Sequence, residues 1–325
     1  MFEVMPIALA CLALMIEALF GYPDRLLRAV GHPVTWIGRL IGALDRTMNR
    51  DTMRLAERRA AGAASMFIVI VVAGAIAYGL EASLARVPGG LLLVSVLAST
   101  LIAQRSLYDH VARVADALER DGLASARAAV AHIVGRDPDR LDAAGVARAA
   151  IESLAENFSD GVVAPALWLM IGGLAGGAAY KAINTADSMI GHRTLRYAAF
   201  GYAAAKLDDL LNLPASRLAA LWITIAARFH DDVNFKQAVA VVQRDARNHR
   251  SPNAGWPEAA MAGALNLKLS GPRCYHRAST EDAWIGEGKS EATTADIRRA
   301  LALYRTACSV QIAALGVLAL LIAQA

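Results

Sequence analysis

The chain has 325 residues, of which 56% are apolar and only 19% charged, whereas soluble domains are roughly half apolar and a quarter charged. That shift points to a membrane. The net charge of +4 is mild, and its arginines are spread over several loops, which excludes a nucleic-acid-binding stripe. Cys11, Cys274 and Cys308 form no CxxC pair, so packing is expected of them rather than a disulfide or metal role.

Residues 4–20 are apolar apart from Glu17. They lack a basic flank and a clear small-residue cleavage site, and read as a retained membrane helix. The next stretch, 21–59, carries Arg25, Arg28, Arg39, Arg46, Arg50, Arg54, Arg58 and Arg59. Arg-rich loops stay cytoplasmic, which puts the N-terminus outside. Within this loop Ile37, Leu40, Ile41 and Leu44 recur at helical spacing, so a helix along the membrane surface is expected. Ala60–Leu80 and Val87–Gln104 are uncharged, long enough to span, and joined by a short turn as a helical hairpin.

Residues 105–160 are soluble in character. Val111, Val114, Ala115 and Leu118 mark one amphipathic helix, stopped near Asp121-Gly122. Val130, Ile133 and Val134 end a second before the break at Pro138. A third is expected from Asp142 to Asn157, with Val146, Ala150 and Leu154 on its apolar face.

Gly161–Tyr180 is again uncharged. Gly172, Gly173, Gly176 and Gly177 give two overlapping GxxxG spacings, the mark of a helix-packing face in lipid. The chain has no GxxxxGK[ST], so a P-loop is excluded. Leu218–Ala227, between Arg217 and Arg228, is short for a span. Residues 229–305 are polar and rich in Lys and Arg, hence expected in the cytoplasm, and Thr306–Ala325 is a last span. Either 161–180 and 210–228 both cross, which strands the polar YKAINTADSMIG outside, or both are re-entrant or buried in protein. The second arrangement is preferred. The expectation is an all-α, polytopic membrane protein with cytoplasmic helical segments. It divides into 1–104 (three spans around loop 21–59), a catalytic region 105–305 and a terminal span 306–325.

Three constellations carry chemistry. Glu152, Glu156 and Asp160 are spaced i, i+4, i+8, a carboxylate stripe without interspersed Lys or Arg, which a hard cation such as Mg²⁺ would relieve. A fraying helix end before the membrane is the plainer alternative. Lys181, Asn184, Asp187 and Ser188 share one helical side after the apolar run, suited to a phosphate and its metal, or else to a snorkelling Lys and a cap. Arg244, Arg247, His249 and Arg250 precede a turn and a helix start at Pro257-Glu258, which is an anion site or a basic surface loop.

Taken together, GHPV, ESLAENFSDG, YKAINTADSMIGH, DDLLNLPASR and RDARNHRSPNAGWPEAAMAGAL, in that order and over nearly the whole chain, resemble the CobD/CbiB family of adenosylcobinamide-phosphate synthases. The resemblance implies a multi-pass inner-membrane enzyme with its site facing the cytoplasm. It would join aminopropanol, or its O-phosphate, to the ring D propionate of adenosylcobyric acid, in a ligation expected to consume ATP with Mg²⁺. Placed on the matching motif positions, Glu152, Glu156, Asp160 and Asp187 are expected to hold Mg²⁺. Lys181, Arg244, Arg247 and Arg250 are expected to contact phosphate, with His32, Asn157, Asn184 and Ser188 also facing substrate. His249 or Glu258 is the expected base, with Lys181 also in the catalytic set. Expected partners are the corrinoid, the amine, the bilayer and other late cobalamin-pathway membrane enzymes, and no nucleic acid. A transporter or a non-catalytic membrane scaffold or sensor is the alternative. Enzyme-like polar motifs and the lack of paired inverted halves speak against these.

Overall fold

Backbone at membrane depth must satisfy its own hydrogen bonds, so apolar runs of this length fold as helices. The computed structural model describes residues 4–22, 28, 31–134, 138–271, 273–275, 278–280 and 282–324. Among them, five helices are long and apolar enough to cross a membrane: Leu55–Leu84, Gly90–Arg120, Ala143–Ile190, Tyr202–Phe229 and Thr294–Gln324. A shorter apolar helix covers Pro6–Phe20. The protein is an all-α polytopic membrane protein. Strand among the described residues is confined to two short antiparallel pairs, β1 (Leu269–Ser270) with β4 (Trp284–Ile285) and β2 (Arg273–Tyr275) with β3 (Ala278–Thr280).

The chain forms two compact units that are discontinuous in sequence: Met1–Ala103, Ala164–Asn212 and Ala314–Ala325, and Gln104–Val163 with Leu213–Ala313. A division into consecutive segments at 104 and 305 does not anticipate this, because residues 164–212 pack with the N-terminal helices.

In the first unit, α1 (Val4–Phe20), α2 (Pro33–Met48), α3 (Leu55–Leu84), α4 (Gly90–Ser99) and α8 (Ala164–Ile190) surround an apolar core. Ile41, Met66, Val69, Ile183, Ile190 and Phe200 are buried there. Ile37, Leu40 and Leu44 pack on the same core, so the apolar stripe of α2 faces α3 and α8. Gly62 is required where α3 meets the Phe200 carbonyl, which occupies the place a Cβ would take.

The run expected to be a plain glycine packing face contains a break. Within α8, Gly172 and Gly173 leave helical geometry, with Gly173 at φ 61°. The Leu174 N–H freed by the break donates to Glu81 Oε2 of α3 at 3.0 Å. Non-helical backbone at this depth is tolerated when protein satisfies it, and Glu81 does so. Residues 210–228 belong to the 28-residue helix Tyr202–Phe229, comprising α10 (Tyr202–Ala226) and a closing 3₁₀ turn. The turns before Arg217 carry Asp208 and Asn212, whose polarity is satisfied inside the protein.

In the second unit, α5 (Gln104–Arg120), α6 (Leu123–Ala131) and α7 (Ala143–Phe158) are the three amphipathic helices expected. Asp142 caps α7 by accepting the Gly145 N–H at 2.7 Å, a favoured N-cap arrangement. After α7, residues Ser159–Val163 form a π-helical turn. α11 (Phe235–Asp245) lies against α12 (Gly255–Leu265), where Gly263 meets the Gln237 carbonyl and Ala238 too closely for any side chain. β1 lies on α7 and α12, and α13 (Thr294–Gln324) closes the chain. The short helix α9 (Tyr197–Phe200) belongs to the first unit.

Candidate active site

Two polar clusters stand out, one in each unit. In the second unit β1 brings Ser270 between two buried carboxylates. The Ser270 N–H donates to Glu152 Oε1 at 2.9 Å, and its hydroxyl donates to Glu258 Oε2 at 3.3 Å. Glu152 and Glu258 are 5% and 1% exposed, so their partners decide what they do. Ser270 holds φ 60°, a left-handed conformation that costs a residue with a Cβ roughly 1–2 kcal/mol. Its bonds to Glu152 and Glu258 help to hold it there.

His249 completes this cluster. Its Nε2 lies 3.7 Å from Glu258 Oε1, and its Nδ1 accepts the Ser251 N–H at 2.9 Å. With Nδ1 as acceptor, the ring proton sits on Nε2, facing Glu258. The loop beneath is fixed by Ser251 Oγ, which accepts the N–H groups of Asn253 and Ala254 at 3.2 Å each. Arg217 also braces it, bonding the Pro252 carbonyl at 3.1 Å and lying 4.4 Å over the Trp256 ring.

The basic stretch before the loop is not uniform. Arg244 makes a bidentate pair with Asp245, both bonds 2.7 Å, and also meets Glu287. The Arg244 bond, with help from the Gly286 N–H, holds the Asp245 carboxyl below the usual aspartate range. Arg244 is therefore structurally engaged, and it is exposed, as are Arg247 and Arg250.

In the first unit, Lys181, Asn184 and Asp187 on α8 are partly buried and Ser188 is exposed. The Asn184 amide donates to Asp208 Oδ1 at 3.2 Å, the Asn212 amide donates to Asp208 Oδ2 at 3.0 Å, and Tyr180 Oη donates to Asn212 Oδ1 at 2.8 Å. The Ser188 hydroxyl returns to the Asn184 carbonyl at 3.0 Å. His32 caps α2 by accepting the Val34 N–H at 3.2 Å. Burial, and then the Lys181 charge, push its pKa below the ordinary histidine value.

The carboxylates of the expected metal set lie in different settings. Glu152 is buried beneath β1, Glu156 one turn on is exposed, and Asp160 falls in the π turn, where five-residue spacing ends the four-residue stripe. Asn157 is exposed and turns its amide back to the Ser153 carbonyl at 2.9 Å. Among the described residues, no group of three His, Cys, Asp or Glu side chains is placed to hold a metal.

A family model described as CobD/Cbib protein matches residues 10–304. The chain belongs to the CobD/CbiB family. It is 48% identical over 302 residues to the cobalamin biosynthesis protein CobD of a Sinorhizobium species, covering 92% of this chain and 94% of that one. The CobD of Rhodobacter capsulatus is 48% identical over 314 residues, covering 97% and 98%. That of Brucella suis is 46% identical over 303 residues, covering 90% of each. No solved structure matches the chain. The function is therefore cobalamin biosynthesis, which implies a corrinoid substrate, and the long apolar helices make this CobD/CbiB member a membrane protein.

Ser270, Asp208, Asn212 and Tyr180 are the residues that reading the sequence missed. Asp208 and Asn212 stand four apart in DDLLN, one helical turn, and that spacing was the available signal. Ser270 had none, since its partners lie 118 and 12 positions away.

Proposed function

We propose that this protein ligates aminopropanol, or its O-phosphate, to the ring D propionate of adenosylcobyric acid with ATP as cosubstrate. The observation that carries this reading is the buried Glu152–Ser270–Glu258–His249 cluster, next to exposed Arg247 and Arg250, in a chain of this family. A carboxylate is a poor acylating agent and must first become an acyl phosphate or acyl adenylate. The amine then attacks the acyl carbon, the phosphate or AMP leaves with the former carboxylate oxygen, and the ammonium proton passes to a base.

Glu258 is that base. His249 already accepts the Ser251 N–H at Nδ1 and carries its proton on Nε2, so it positions Glu258 and is not itself free to take a proton. Arg247 and Arg250 in one unit, and Lys181 with Asn184, Asp187 and Ser188 in the other, remain the candidates for phosphate and substrate contacts. His32 and Asn157 are further candidates. Because the described acids form no ready-made metal site, Mg²⁺ is assigned to the nucleotide phosphates, as is common for this ion. The protein sits in the inner membrane with the site towards the cytoplasm, a reading supported by the Arg-rich segment 21–59.

The test is purified protein in detergent or vesicles with adenosylcobyric acid, ATP, Mg²⁺ and either amine, followed by mass spectrometry. Amide product with one amine, and ADP or AMP released in equal amount, is expected. Its absence with both amines would sink the ligase reading. Labelling of Ser188→Cys, in a chain freed of native cysteines, is expected from the cytoplasmic side only.

A further inference from the structure

A cavity of about 400 Å³ lies within the first unit, between α2, α3, α4 and α8. Its volume falls in the range of small-molecule sites, roughly 300–1,000 Å³. Neither polar cluster lines it. Its polar side-chain groups are the Trp36 indole N–H and the Thr100 hydroxyl, and the latter is already bonded to the Leu97 carbonyl at 2.7 Å. A polar ligand would lose its bonds to water there and gain almost none.

The outer wall indicates where an occupant comes from. Val72, Ile76 and Leu80 line the cavity and are still 39%, 61% and 45% exposed. All three belong to the candidate span Leu55–Leu84. The cavity therefore opens on a surface that bilayer acyl chains cover. Charge on the α2 wall narrows the occupant further. Arg39 stands on α2 one helical turn from Trp36, a cavity-lining residue. It is exposed and has no partner among the described residues. An Arg beside a lipid-facing cavity complements a lipid phosphate.

We propose that this cavity holds an acyl chain of one anionic phospholipid whose headgroup phosphate pairs with Arg39. The site is separate from the proposed active site and stands whether or not the ligase reading does.

The experiment is native mass spectrometry of the full chain, purified in mild detergent and titrated with phosphatidylglycerol or phosphatidylcholine. One phosphatidylglycerol is expected to be retained. Ala73→Phe and, independently, Ala178→Leu fill the cavity and should weaken retention at least about tenfold. Arg39→Gln should lower the preference for phosphatidylglycerol about fivefold, the worth of one cation near a phosphate surface. Phosphatidylglycerol with brominated chains should quench the tryptophan emission that Trp36→Phe removes. Any of three results would overturn the proposal: no lipid kept by the unaltered chain, retention unchanged in both filled variants, or a dimer that excludes lipid, which would assign the face to a second copy.

Discussion

In the first unit the buried Asp208 is held by the uncharged amides of Asn184 and Asn212. In the second, Asp245 is held by Arg244, and Asp296 by Lys289 at 2.8 Å and Arg299 at 3.2 Å. The difference follows from solvent. A guanidinium is costly to desolvate and suits positions near water, as in the first unit itself where Arg196 pairs with Asp45 at 2.9 Å outside the helices of spanning length, whereas an amide satisfies a carboxylate at little desolvation cost. An amide does not neutralise the carboxylate, however. An acid in a helix of spanning length, held only by neutral donors among its described bonds, marks a functional position more readily than a paired one. The acids of the second unit divide the same way. Asp245 and Asp296 are ion-paired and structural, whereas Glu152 and Glu258 share Ser270.

The largest effect that tests this contrast is on catalysis. Glu258→Gln keeps the shape and removes the proposed base, so turnover should fall by about 10²–10⁴-fold, with an unchanged melting temperature. Turnover near normal would return Glu258 to a structural role. His249→Gln should cost less.

Asp208→Ala leaves both amides without their acceptor and should destabilise the protein by about 1–3 kcal/mol, read by thermal unfolding in detergent. Asp208→Asn keeps an acceptor for one amide and should cost less. Equal costs would mean that the network does not depend on the carboxylate.

Gly173→Ala forces a Cβ onto a residue at φ 61° and against the Glu81 carboxylate, 2.7 Å from the Cβ position. The conformation alone costs about 1–2 kcal/mol. Glu81→Gln keeps an acceptor for the Leu174 N–H and should be milder. If both substitutions are silent, the break in α8 is not held by this cap.

The smallest effect is on pH dependence. Asp245 has its folded pKa depressed, by the Arg244 bond first and the Gly286 N–H next. Its stabilisation is therefore full above the ordinary aspartate pKa, about 4. It is lost as pH falls through the lower folded value. Melting temperature against pH should drop less steeply below that point in Asp245→Asn than in the unaltered chain, and parallel curves would remove Asp245 as the source.

The sequence by itself determined the helices and where most of them stop. Apolar runs, the capping Asp142 and breakers such as Pro138 act on neighbours a few residues away, so their effects are readable locally. The polar motifs of the family were equally legible, and of the residues they supply Asn184 bonds Asp208 and His249 lies 3.7 Å from Glu258. Tertiary structure decided the partners. Glu152 looked like one rung of a metal-binding stripe until β1 covered it and gave it the Ser270 N–H. The glycine run looked like a packing face until Glu81, 93 positions from Leu174, capped a break in it. Helix α10 looked too short because Arg217 and Arg228 bound its apolar run, while the turns before Arg217 carry Asp208 and Asn212, whose polarity Asn184 and Tyr180 help to satisfy. Periodicity reports which face of a helix is buried. What lies against that face is set by packing between segments far apart in the chain, and that packing separates a bound acid from a catalytic one.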